Sequence, residues 1–184
     1  MSLDHLLSVV LIVTAAGYLL LAARLAGASK SVGVVPMAVL FTVFGIWVAG
    51  GAVELLANSF AMFSVGRTGH FIGTALTPIV ALIFFREYQQ SRTRSSTLLL
   101  LSIIPLISIG LAATNVIHEF MWYLPRANEA GEFLTRPKQW GPWFLFAHLP
   151  YSYLLIGFAI FGLIKRSSAV PPAQRRGMYL LAAA

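Results

Sequence analysis

The chain has 184 residues, 58% of them hydrophobic and 10% charged, with a mean hydropathy of +0.81. Polar surface this sparse cannot enclose a soluble core, so the composition excludes a soluble domain and points to an integral membrane protein. The net charge of +7 comes from basic residues spread over short loops, not from the clustered face a nucleic-acid binder needs, and the lack of cysteine excludes disulfides and thiolate metal ligation.

The first apolar run, Leu6–Leu25, is about as long as the roughly 20 residues that cross a bilayer. It follows "MSLDHLL", which has an acid and no basic n-region. It therefore reads as an anchor helix and not as a signal peptide, although Ala26–Ala28 resembles a cleavage site. Further spans are predicted at Val34–Ala57, Thr68–Phe85, Thr97–Ala113 and Trp143–Ile164. A sixth opens at Gly177 and has only eight residues before Ala184, so we expect the sequence to stop inside it and an output domain to be missing. With the N-terminus outside, the inner connections hold nine basic residues (Arg24, Lys30, Arg86, Arg92, Arg94, Lys165, Arg166, Arg175, Arg176). The outer side then holds four (Arg67, Arg126, Arg136, Lys138), which fits the positive-inside rule.

One connection is long. Asn115–Pro142 is about twice the length at which an unstructured loop becomes uncommon. Its aromatic residues, Phe120, Trp122, Tyr123, Phe133 and Trp140, suit it to cap a helical bundle. Pro171 and Pro172 predict an inner turn. No internal repeat is visible, and residues 1–184 read as one transmembrane domain.

Polar groups at membrane depth usually face a bundle interior or a cavity. Here they share one side: Glu54, His70, Thr114, Asn115, His118, His148, Tyr151 and Tyr153 all fall at outer span ends. His148 and Tyr151 are three apart and so share a helical face with Phe144 and Leu155. Pro150 frees the Phe146 carbonyl, and together these residues predict a pocket opening outward under the long loop. Trp140, Trp143 and Tyr153 equally suit plain anchoring at the bilayer interface. Gly69, Gly73 and Thr77 form a small-residue stripe for close helix packing, and Pro78 and Pro105 predict kinks whose freed carbonyls neighbouring helices must cover.

Several chemistries find no residues. No lysine lies inside a span to form a retinal Schiff base, and no HExxH, phosphate loop, nucleophile elbow or pair of catalytic carboxylates is present. Neither a catalytic residue nor a metal set is expected, and no cofactor. The apolar inner halves of the spans argue against a transport path. His70 and His148, at comparable depth, with His118 as a third, keep a membrane haem protein as a lesser alternative.

The segments "WVAGGAVELLA" (Trp47–Ala57), "GTALTPIVALIFFREY" (Gly73–Tyr88), "LLLLSIIPLISIGLAATNVIHEFMW" (Leu98–Trp122), "GPWFLFAHLPYSYLLI" (Gly141–Ile156) and "RRGMYLLAAA" (Arg175–Ala184) occur in that order. Over roughly three-quarters of the chain they resemble the N-terminal seven-helix sensory region of bacterial membrane histidine kinases, a region also found ahead of diguanylate cyclases. Glu54 matches the family's acid near the end of the second helix, Pro78 its third-helix proline, and Asn115, His118 and Trp122 the motif that opens the long loop. Gly141, Pro142 and Trp143 match the start of the fifth helix, followed by His148, Tyr151 and Tyr153. Glu119 stands where the family usually has a second histidine, which disfavours histidine-pair chemistry.

The resemblance implies an all-α polytopic bundle with an outward N-terminus and a cytoplasmic C-terminus. It implies a multi-pass protein of the bacterial inner membrane that feeds a kinase or cyclase in two-component signalling, with this chain itself not an enzyme. We expect a small-molecule or lipid-like ligand to settle among Glu54, His70, Asn115, His118, Trp122, Trp143, His148 and Tyr151. The expected partners besides the lipid bilayer are a second copy of the chain or other membrane subunits. The rival class is a structural or assembly subunit of a larger membrane complex.

Overall fold

A computed structural model describes residues 3–27, 33–89, 91, 93–124 and 139–167. All five predicted spans form helices long and apolar enough to cross a membrane. They are α1 (Leu3–Ala26), α2 (Val34–Leu55), α3 (Phe60–Tyr88), α4 (Ser95–Ala113) and, after the single turn α5 (Asn115–His118), α6 (Leu149–Ser167) with a π-helical lead-in at Phe144–His148. No strand occurs among the described residues; an isolated antiparallel bridge pairs Trp122 with Trp140. The Pro171–Pro172 turn and the helix expected from Gly177 lie outside the described residues.

The third span departs from its prediction. It was expected to begin at Thr68, leaving Arg67 in an outer connection, but α3 starts at Phe60 and encloses Arg67, which is 7% exposed. The local cause is Ser59, whose hydroxyl accepts from the Met62 amide at 3.3 Å and caps the helix. A hydropathy window averages out a cation near a span end; a capping residue marks the true start. At 29 residues α3 is about 43 Å long, against roughly 30 Å of hydrocarbon, so its ends reach both interfaces.

Within the bundle α3 is central. It packs against α2, α4 and α6, whereas the substantial contacts of α1 are with α2 alone. The expected small-residue stripe is partly what permits this: a β-carbon on Gly73 would overlap Trp47, and one on Gly66 would overlap the Glu54 backbone. Gly66, which was not part of the expected stripe, makes nearly as close an approach as Gly73, whereas Gly69 is less crowded. Val43, Ile79, Val80, Leu82, Leu155 and Ala159 form one buried cluster, and Phe71, Ala112, Met121 and Trp122 a second. Outward faces are apolar, with Leu20, Leu99 and Leu154 each more than 60% exposed, as suits helices in lipid.

Candidate functional site

The second cluster lies where α3, α4 and the π-helical lead-in meet the long loop, and Phe71 is its hub. The Phe71 ring stacks on Trp122 (centroids 4.9 Å apart) and touches Trp140, Phe144, His148 and His70 at 5.7–6.2 Å. Beside it, Arg67 donates from Nη1 to both Glu54 oxygens at 2.9 and 3.0 Å. Its guanidinium also lies 5.3–5.7 Å from the rings of Phe63, Trp122 and Trp140, so a charge at this depth is held by a counter-ion and aromatic faces together.

The histidines separate into different roles. Trp47 Nε1–H donates to His70 Nε2 at 3.0 Å, which leaves the remaining proton of that ring on Nδ1. Ser108 Oγ accepts from Trp143 Nε1–H at 2.9 Å and lies 3.2 Å from His148 Nδ1. The Ser108–His148 bond can run in either direction, and His148 Nε2 points away from it. His118 has both nitrogens engaged, Nδ1 accepting from the Phe120 amide and Nε2 donating to Thr114 Oγ1, which itself donates to the Gly110 carbonyl.

Asn115 is 1% exposed and clamps the base of the long loop. Its Nδ2 donates to the Trp122 carbonyl at 2.7 Å, and its Oδ1 accepts from the amides of Met121 and Trp122. The bridge from Tyr123 N to Gln139 O and from Gly141 N to Met121 O then ties the two loop strands together. Tyr151 faces α4, as does His148, but its hydroxyl donates to the Leu101 carbonyl at 2.8 Å. That carbonyl lacks its helical partner because Pro105 has no N–H.

Of the residues singled out in the sequence, Glu54, His70, Trp122 and His148 therefore surround Phe71 directly or through Arg67. The polar atoms of Asn115, His118, Trp143 and Tyr151 are spent on the protein itself. Residues that sequence reasoning passed over include Arg67, Phe71, Trp47 and Ser108. A capping signal at Ser59 would have placed Arg67 two turns into a helix opposite Glu54; the apolar Phe71 carried no signal at all. Three N–H groups here, Arg67 Nε, His70 Nδ1 and Trp122 Nε1, and the ring nitrogen His148 Nε2 have no hydrogen-bond partner among the described residues.

A family described as the N-terminal 7TM region of histidine kinase matches residues 5–184. The chain belongs to this family. Comparisons with curated proteins and with solved structures return no match. The motif residues of this kinase input region acquire physical roles from the geometry. Asn115 and His118 build the loop base, and Gly141 lets the returning strand pass against the Phe120 carbonyl, where a β-carbon would overlap. Trp143 pins the start of the fifth span to α4 through Ser108.

Proposed function

We propose that this histidine kinase input region is a ligand-binding sensor whose site is the aromatic cluster around Phe71, at the extracytoplasmic end of the bundle in the bacterial inner membrane. The observation that carries this reading is the set of three N–H donors, from Arg67, His70 and Trp122, and the His148 Nε2 nitrogen around the stacked Phe71 and Trp122 rings, with no hydrogen-bond partner among the described residues. A buried donor left unpaired costs about 1–3 kcal/mol, so a ligand bringing acceptors gains what the protein forgoes. Donors without acceptors, between aromatic faces, favour flat, acceptor-rich molecules such as quinones or aromatic acids over amines.

The signal would travel along α6, which runs from the π-helical turn beside Phe71 to Lys165 and Arg166 at the other end. A ligand shifts that packing only if it binds the two arrangements with different affinity. The output would be a cytoplasmic kinase or cyclase acting as a pair of chains.

Tryptophan fluorescence of the purified chain, titrated with a ubiquinone analogue and with benzoate, tests the site. Saturable quenching by at least one is expected, with apparent affinity about tenfold weaker in Trp122→Phe and in His148→Phe, each of which removes one hydrogen bond to the ligand. Linear, unsaturable quenching by both compounds, or equal affinity in the variants, would remove the Phe71 cluster as the binding site.

A further inference from the structure

The opposite end of the bundle carries a different feature. Arg86 lies fifteen positions beyond Phe71 on α3, about 22 Å along the helix. There a groove of about 530 Å³ runs between the end of α3, the start of α4 and the middle of α6. Part of its lining is polar, from Arg86, Thr93, Arg94 and Thr97, and the rest is apolar and includes Leu101 and Phe158. A neighbouring cavity of about 240 Å³ shares Arg86 and Phe158 and adds Gln89 and Lys165.

We propose that this groove binds an anionic phospholipid, with the headgroup phosphate between Arg86, Thr93 and Arg94 and an acyl chain along Leu101 and Phe158. Arg86 Nε and Thr93 Oγ1 are both buried with no hydrogen-bond partner among the described residues, and both are donors suited to a phosphate oxygen. Arg94 sits at the N-cap of α4, where the helix dipole is positive, with no side-chain cap and no acid in the first turn. A cation there is unfavourable alone and favourable once an anion joins it. Glu87, the one acid that the charge pattern places at this end, lines neither cavity.

The apolar lining distinguishes a lipid from a soluble anion. Phe158 is 61% exposed, so the groove is open sideways to the acyl chains of the bilayer and not only to water. Residues 168–184 contain Arg175 and Arg176 and no acid, so they offer the arginines no counter-ion.

Native mass spectrometry of the detergent-solubilised chain, titrated with palmitoyl-oleoyl phosphatidylglycerol or with phosphatidylcholine of the same acyl chains, tests the proposal. The chain is expected to retain phosphatidylglycerol about fivefold or more over phosphatidylcholine, the scale set by one or two basic contacts. Arg86→Gln with Arg94→Gln should bring the ratio near unity. Thr97→Trp, at an exposed position, fills the groove without changing charge and should do the same, whereas Arg24→Gln, basic at the same end but outside the groove, should preserve the preference. A preference that survives Thr97→Trp, or that falls as far in Arg24→Gln as in the double variant, is diffuse attraction and overturns the proposal. So does a preference abolished by millimolar inorganic phosphate. Efficient disulfide formation between Thr97→Cys and Leu180→Cys, in a chain that has no other cysteine, would put the chain's own end in the groove and equally overturn it.

Discussion

Glu54 and Arg67 show how one residue's cost becomes another's function. Each is nearly buried, at 13% and 9% side-chain exposure, and each is tolerable there because the other is present. Gly66 sets their separation, since anything larger would push α3 off the Glu54 backbone. Removing one partner leaves an uncompensated charge, so Glu54→Gln is expected to destabilise the chain by about 3–5 kcal/mol, whereas Glu54→Leu with Arg67→Met should recover most of the loss. Thermal unfolding in detergent measures both; a single variant as stable as the parent would show that the charges are solvated and the pair incidental. Ser108 carries a smaller version of the same dependence, because Ser108→Ala strands both Trp143 Nε1 and His148 Nδ1. Its expected cost is about 1–3 kcal/mol, read from the same unfolding curves.

Prolines and hydroxyls decide how the helices join. Pro105 deprives the Leu101 carbonyl of its helical donor, and Tyr151 on α6 supplies a substitute, so a break in α4 becomes a bond between helices. This makes a coupled prediction. Tyr151→Phe should cost about 1–2 kcal/mol in the parent chain, because it leaves a buried carbonyl bare, and much less in a Pro105→Ala background where an amide hydrogen returns. A double-mutant cycle on unfolding free energy measures the difference; strictly additive effects would mean that Tyr151 does not repair the proline break. The prolines were legible in the sequence and so was the need to cover their carbonyls, but which side chain would do so depends on helix pairing that no local pattern encodes. The π-helical turn at Phe144–His148 was not legible either. It ends just before Pro150, with the Leu149 amide reaching five residues back to the Phe144 carbonyl. The extra residue per turn advances the face that His148 presents.

For the whole molecule, hydropathy read the spans well because membrane length and apolarity are properties of single segments. It misplaced the start of α3 for the same reason: Arg67 is acceptable only through contacts with α2 and the long loop. The candidate site was half legible. Polar residues at depth announced themselves, whereas Phe71, the ring they gather around, looks like any lipid-facing phenylalanine until the fold is closed. Sidedness is a proposal from charge counting, and it would give both ends of the bundle their meaning, with the donor-rich aromatic cluster outside and the basic groove inside. The chain's lack of cysteine makes this directly measurable. Asn58 lies in the turn before α3 and Ser95 at the start of α4; both are exposed, and α3 separates them by more than the hydrocarbon thickness. In intact bacterial spheroplasts a membrane-impermeant maleimide is expected to label Asn58→Cys and to reach Ser95→Cys only after permeabilisation. The opposite pattern would turn the bundle over, face the Phe71 cluster to the cytoplasm and set the arginine groove in the outer leaflet, where anionic lipid is not drawn by the same field.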